Sequence, residues 1–179
     1  MSQNVRDAMI NAAWMLIAER GLEGMSTREV LARTGAPRGS VYHYFPRGRN
    51  ELIELAIERS QEWTRKQISA IPAKNPSDVV TGYIDIWRRV LEGSNFRAGC
   101  AAVGVVTGGH DPQILDRGAA AFDAATGALA ARFQETGLSE PEATSRATLL
   151  VCAAEGAVVL ARAHRSIDPL ALVAKQLSS

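Results

Sequence analysis

Residues 26–45 read Ser26-Thr27-Arg28-Glu29-Val30-Leu31-Ala32-Arg33-Thr34-Gly35-Ala36-Pro37-Arg38-Gly39-Ser40-Val41-Tyr42-His43-Tyr44-Phe45. Ser26 followed three residues later by Glu29 is a capping box, in which hydroxyl and carboxylate can each satisfy an amide that a helix start leaves unpaired. The helix opened there is short, because Thr34-Gly35-Ala36 interrupts it ahead of Pro37. Proline suits the first turn of a new helix and drives the residue before it out of helical geometry, so residues 37–45 are expected to form a second short helix. Short helix, glycine-containing turn and short helix together are the layout of a helix-turn-helix.

At about 100° per residue, Pro37, Val41, Tyr44 and Phe45 cluster on one side of the second helix. Gly39 and His43 point the opposite way, with Arg38 and Tyr42 on one shoulder and Ser40 on the other. The first set is expected to pack and the second to face outward. The outward set suits DNA. Arg38 offers a planar fork for a guanine edge or a phosphate, Tyr42 and Ser40 offer hydroxyls, His43 can donate to phosphate or base, and Gly39 lets the backbone come close. Tyr44 reads equally as packing or as a phosphate contact. Thr27 and Arg28 at the start of the first short helix, and Arg49 at the start of the helix that follows, are placed to meet backbone phosphates.

Outward from this segment the chain reads as helix throughout. Upstream, Val5, Met9, Ala12, Ala13, Leu16 and Ile17 recur at three- and four-residue intervals, and Gly21 supplies a left-handed stop. Downstream, Pro46-Arg47-Gly48 turns into a helix holding Leu52, Ala56 and Trp63, which fades near Ile71-Pro72. Asn75-Pro76, Asp111-Pro112 and Asp168-Pro169 then mark three further starts, each a capping side chain followed by proline at the first helical position. Ser139-Glu140-Pro141-Glu142 is another capping box, opening a helix expected to run to about residue 165. A short apolar piece spans residues 101–106. The expected fold is all-α: a three-helix N-terminal domain with a helix-turn-helix (1–48), a connecting helix (49–71), and a helical ligand-binding and dimerisation domain (72–179).

Composition agrees. The 179 residues are 46% hydrophobic and 22% charged, with a net charge of only +1. The first 50 residues carry seven Lys/Arg against four Asp/Glu (+3), and the remainder thirteen against fifteen (−2). An anion-binding surface therefore belongs at the N-terminus. Cys100 and Cys152 lie far apart in hydrophobic surroundings and read as reduced, buried thiols. The start has no basic region followed by an apolar run, and no uncharged apolar stretch nears bilayer length, so a cytoplasmic protein with no membrane partner is expected. His43, His110 and His164 have no helical zinc spacing, and there is no nucleophile elbow or phosphate-binding glycine loop. No catalytic residue, metal or cofactor is expected. A small helical enzyme and a helical scaffold that binds only protein are the competing readings.

Residues 27–45, with the lead-in Glu19-Arg20-Gly21-Leu22-Glu23-Gly24-Met25-Ser26, strongly resemble the N-terminal domain of the TetR family of transcriptional regulators. The Phe96-Arg97-Ala98-Gly99-Cys100 and Glu155-Gly156-Ala157 stretches resemble the LmrA and YxaF subgroup. The resemblance implies a homodimer on double-stranded, roughly palindromic operator DNA, usually as a repressor, released by a small-molecule effector. The family commonly has a Lys three residues after the Phe matching Phe45. Here Pro46-Arg47-Gly48-Arg49 is one residue longer, which leaves Arg47 and Arg49 as alternatives for that phosphate contact. The last two helices should pair across a two-fold axis, and Ala147, Val151, Ala154, Val158 and Ala161 form a small-residue stripe that would permit it, with Leu172 on the final helix.

Tyr83, Trp87, Val90, Cys100, Val103, Phe122, Cys152 and Glu155 could line an apolar pocket for a small apolar or aromatic effector. They read equally as plain core. Glu155 is the most informative, since a carboxylate among Cys152, Ala153, Ala154, Gly156 and Ala157 needs a partner if it is buried.

Overall fold

The computed structural model describes residues 2–178, all of whose regular elements are α-helices. They are α1 (Ser2–Arg20), α2 (Thr27–Thr34), α3 (Ser40–Tyr44), α4 (Arg49–Ser69), α5 (Pro76–Gly93), α6 (Ala101–Gly108), α7 (Pro112–Glu135), α8 (Glu140–His164) and α9 (Asp168–Leu177). Two compact units are present, one of residues 1–61 with 101–121, the other of residues 62–100 with 122–179.

In the first unit, the stripe anticipated on α1 is the core. Met9, Ala12, Ala13, Leu16 and Ile17 are buried, with Val30 of α2, Val41 of α3, and Leu52, Ile53, Ala56 and Ile57 of α4. α1 stops where the left-handed Gly21 (φ +73) donates its amide to Ile17 O at 2.9 Å. α6 packs on α1 so closely that a Cβ on Gly104 would stand 2.9 Å from the Ile17 carbonyl oxygen, which is why glycine occupies that position. Residues 101–121, assigned from sequence to the regulatory region, thus pack in the same compact unit as the helix-turn-helix.

The second unit holds a core built from α5, α7, α8 and α9. Tyr83, Ile84, Trp87 and Leu91 of α5, Leu129 and Phe133 of α7, eight residues of α8 and Leu170 of α9 are buried in it. The local start signals act as expected at Asn75 and Ser139, whereas Asp168 lies inside α9, whose cap is Ile167 without a side-chain cap hydrogen bond. Asn75 Oδ1 accepts from the Asp78 amide at 2.9 Å, and Glu142 Oε2 accepts from the Ser139 amide at 3.2 Å and from its hydroxyl at 2.5 Å. α8 ends at His164, with Arg165 left-handed at φ +53.

α8 requires a correction. The stripe Ala147, Val151, Ala154, Val158 and Ala161 is buried inside the chain's own core, with Ala154 0% exposed, and so cannot be the surface that meets a partner. Its small side chains let α5 and α9 approach α8 within one unit. The outer face of α8 is a second stripe, Leu149, Cys152, Gly156, Val159, Leu160 and Ala163, roughly opposite the first at about 100° per residue. Being apolar on both faces, α8 is also long and apolar enough to cross a membrane by length and composition, although Glu155 and Arg162 interrupt it, so it is not an uncharged stretch. Core burial of the inner stripe accounts for much of that apolarity.

Candidate nucleic-acid interface and effector site

The helix-turn-helix is assembled by local signals. Ser26 Oγ accepts from the Glu29 amide at 3.1 Å, while the Glu29 carboxylate turns to Arg20 at 3.4 Å, so only half of the capping box forms. α2 closes on left-handed Gly35 (φ +67), whose amide donates to Leu31 O. α3 is shorter than anticipated. Residues 37–39 form a tight turn in which Ser40 N donates to Pro37 O at 2.9 Å, and helical geometry begins only at Ser40. Pro37 therefore lies exposed instead of in the packing set. Val41 and Phe45 are buried, Tyr44 is half-buried with its ring edge-on to His43 at 4.7 Å, and the Arg6 guanidinium lies 5.6 Å from the Phe45 ring centroid.

The outward set stands where the angular argument puts it. Arg38, Gly39, Tyr42 and His43 are exposed, Tyr42 at 76%, and Ser40 is half-buried. A Cβ added at Gly39 would meet nothing within 4 Å, so the space over the start of α3 is open to a close-approaching backbone. Arg38 and Tyr42 take part in no hydrogen bond or ion pair among the described residues. Thr27 is half-buried at the start of α2 and Arg28 is exposed beside it. This surface presents a cation, hydroxyls and an imidazole that the protein itself does not use, as groove and phosphate recognition requires.

Arg49 departs from its expected role. Its Nε donates to Met25 O at 3.0 Å and its Nη2 to Leu22 O at 2.7 Å, so the guanidinium is turned inward to hold the loop between α1 and α2. Arg47 is engaged too, paired with both oxygens of Glu54 at 2.8 and 3.2 Å. Glu54 also receives Arg117 at 3.3 Å, and Arg117 reaches Glu58 at 2.8 Å. The Arg47 hydrogen bonds hold the Glu54 carboxyl below its ordinary range against the opposing effect of burial. Sequence reading missed this network because its members are seven and about sixty residues apart. The one available signal was Glu54 itself, a charge inside the apolar spacing of α4.

The residues proposed for an effector pocket divide. Tyr83 and Trp87 are buried on α5, their rings edge-on at 6.4 Å, and Val90, Cys100 and Phe122 pack partly buried against the same core. Glu155 lies on the shoulder of α8 between its two faces, half-buried. Its Oε2 is a buried atom without a hydrogen-bond partner among the described residues. Burial pushes the Glu155 carboxyl up to about 7, with a hydrogen bond from Cys100 opposing. Burial, then the Glu155 charge, raises the Tyr83 phenol well above its ordinary range. Two members differ from these. Cys152 is exposed on the outer face of α8, one residue out of phase with the buried stripe, and Val103 sits on α6 in the first unit. Two surface clefts of the second unit contain none of the eight. One, of about 230 Å³, is lined by Val80, Phe133, Arg146, Leu149, Leu150, Gln176 and Leu177, and the other by Asn95, Phe96, Arg97, Val159, Arg162, Ala163 and Arg165. Cys100 and Cys152 form no disulfide, and among the described residues no group of His, Cys, Asp and Glu could hold a metal ion.

Comparison with known proteins bears on both units. Residues 9–56 match the family described as bacterial regulatory proteins, tetR family, and residues 76–176 match the C-terminal domain of LmrA/YxaF-like transcriptional regulators. An HTH-type transcriptional regulator of Mycobacterium tuberculosis is 37% identical over 98% of this chain and 93% of its own length. The HTH-type transcriptional regulator YxaF of Bacillus subtilis is 24% identical over 96% of this chain and 92% of its own. Among solved structures, the regulatory protein TetR from Rhodobacter sphaeroides shares the fold with a TM-score of 0.85 at 20% identity, covering 97% of each chain. The matches identify a helix-turn-helix transcription regulator and not an enzyme. The chain belongs to the TetR family of transcriptional regulators and carries an LmrA/YxaF-like C-terminal domain.

Proposed function

We propose that this regulator is a cytoplasmic homodimeric repressor that binds a roughly palindromic operator and is released by a small apolar or aromatic effector. The observation that carries the DNA reading is the exposed and internally unused face of α3, with Arg38 and Tyr42 beside open space at Gly39. Arg38, Tyr42, His43, Ser40 and the Gly39 backbone meet the major groove, and Thr27, Arg28 and Tyr44 meet phosphates. Residues 1–48 serve as the DNA head, 49–71 as the connecting helix and 72–179 as the regulatory region. A dimer is needed to place two recognition helices in successive major grooves.

The second copy docks on the outer faces of α8 and α9. Leu149, Val159 and Leu160 on α8, and Leu172 on α9, are all more than half exposed, and these two helices pack together. A contiguous exposed apolar surface of this kind marks an interaction site more often than chance surface. The buried groups around Glu155 mark the effector site. Effector binding acts by favouring one of two states of the dimer, with coupling set by its differential affinity for them. The experiment is a gel shift of the purified chain on the DNA upstream of its own gene, with sedimentation equilibrium of the free protein. A retarded, competable complex and a dimer are expected; a chain that binds no DNA and pulls down only protein would make it a scaffold.

A further inference from the structure

The ion-pair network of the first unit lies beside the outward face of α3. The Glu54 side chain on α4 is only 9% exposed and holds two arginines at once, Arg47 from the turn between α3 and α4 at 2.8 Å and Arg117 of α7 at 3.3 Å. The two are not equivalent. Arg117 is also tied to Glu58 at 2.8 Å, and its carbonyl accepts from the Gln61 side chain at 3.4 Å, so it is fixed against α4. The Arg47 guanidinium has Glu54 as its hydrogen-bonding partner and its side chain is 65% exposed. Its turn borders the outward face, since a Cβ on Gly48 would stand 3.9 Å from the Tyr42 ring. An ion pair with one partner so exposed adds little stability and exchanges readily.

From this arrangement we propose that Arg117 is a positioning residue for DNA binding: by keeping Glu54 paired, it lets Arg47 leave that carboxylate and take a backbone phosphate. The inference rests on the operator-binding reading given above and adds these residues to it. A buried carboxylate stripped of its last cation is strongly disfavoured. With Arg117 in place, Arg47 can depart without orphaning Glu54. Without Arg117, Glu54 keeps Arg47 and competes with phosphate for it. The planar guanidinium fork that Arg47 now sets on both carboxylate oxygens fits two phosphate oxygens equally well. Few other cations serve this surface. Arg49 is turned inward and Arg33 is paired with Glu19, which leaves Arg28 and Arg38 exposed on α2 and ahead of α3.

A double-mutant cycle on the full-length protein tests the exchange, with affinity for the DNA upstream of its own gene measured across a range of salt. Arg47→Ala should weaken binding about tenfold and flatten the slope of log affinity against log salt by roughly two, one per subunit. Arg117→Ala should reproduce most of that loss and the flatter slope, yet change affinity by less than about twofold when added to Arg47→Ala. Glu54→Gln removes the competitor and should tighten binding about threefold or more. If either Arg117→Ala or Glu54→Gln fails to fold, the other decides. A purely structural role for Arg117 would weaken binding equally with and without Arg47 and would overturn the proposal, as would wild-type affinity and slope in Arg117→Ala, or unchanged or weaker binding in Glu54→Gln. If Arg47→Ala alters neither affinity nor slope, Arg47 stays on Glu54 and the exchange is wrong while operator binding stands. A wild-type protein that binds no DNA would overturn operator binding and the exchange with it.

Discussion

α3 and α8 contrast: the outward set expected on α3 by angle stands outward, with Pro37 of the packing set exposed as well, whereas the small-residue stripe of α8, expected from the family resemblance to permit pairing with a second copy, turned inward. α3 has one apolar side and one polar side, so knowing which residues share a face also tells which face meets the core: Val41 and Phe45 are buried, Arg38, Tyr42 and His43 exposed. α8 is apolar on two opposite sides, one of small residues and one of larger ones. Periodicity groups each set correctly but does not say which turns inward. The small stripe went inward, where close approach to α5 and α9 needs it, and the larger Leu149, Val159 and Leu160 were left outside. The general lesson is that a stripe of alanines reports close helix approach without reporting whether the neighbour belongs to the same chain.

The difference between the two faces of α8 is open to a paired test with the largest effects expected here. Leu160→Glu, on a side chain 52% exposed, should leave the folded chain's melting behaviour nearly unchanged. By splitting the dimer it should weaken operator binding about 100-fold or more, since two linked heads lose their mutual effective concentration. Ala154→Leu should instead overpack the interior and lower stability by about 1–3 kcal/mol in chemical denaturation. If Ala154→Leu dissociates a stable protein and Leu160→Glu does not, the assignment of faces is reversed.

On α3, Arg38→Ala should weaken operator binding by about 1–3 kcal/mol, concentrated on one base pair, if the guanidinium forks onto a guanine. Gel shifts against a panel of single-base operator variants measure this. Uniform weakening across the panel would make Arg38 a phosphate contact and would remove direct base reading from that shoulder of the helix.

Arg49 tests how far exposed position predicts function. Its guanidinium holds the Leu22 and Met25 carbonyls, so Arg49→Ala should lower stability by about 1–2 kcal/mol. The slope of log affinity against log salt should stay where it was. A slope flatter by roughly two, one per subunit, would return Arg49 to the phosphate backbone.

The smallest effect expected is a pH dependence at Glu155. Its carboxyl is raised from 4.5 to about 7 by burial, so between those values the folded state holds a proton that the unfolded state has lost. Stability must therefore fall as pH rises from 4.5 through 7 and level off above it. Glu155→Gln, neutral throughout, should melt higher than wild type at pH 8 by a few degrees and lose that advantage near pH 4.5. Equal melting temperatures at pH 8 would mean that the carboxylate is solvated in the folded protein.

Local chemistry was legible from the chain alone. The Ser26 cap, the capping box at Ser139, the Asn75-Pro76 and Asp111-Pro112 starts and the stop at Gly21 act within four or five residues, and each lies near its expected place. With them came the all-helical class, the helix-turn-helix and the outward face of α3, because polarity divides that helix cleanly. Tertiary structure decided what depends on partners distant in sequence. Arg49 meets carbonyls more than twenty residues earlier, Arg47 and Arg117 converge on Glu54, and Cys152 falls outside the core while Val151 falls inside it. Glu155 stands between these two kinds of information. Sequence marks it as a charge among small apolar residues, and only packing shows that its carboxylate is buried without a counter-ion, because burial is a property of the neighbours that α5 brings to α8.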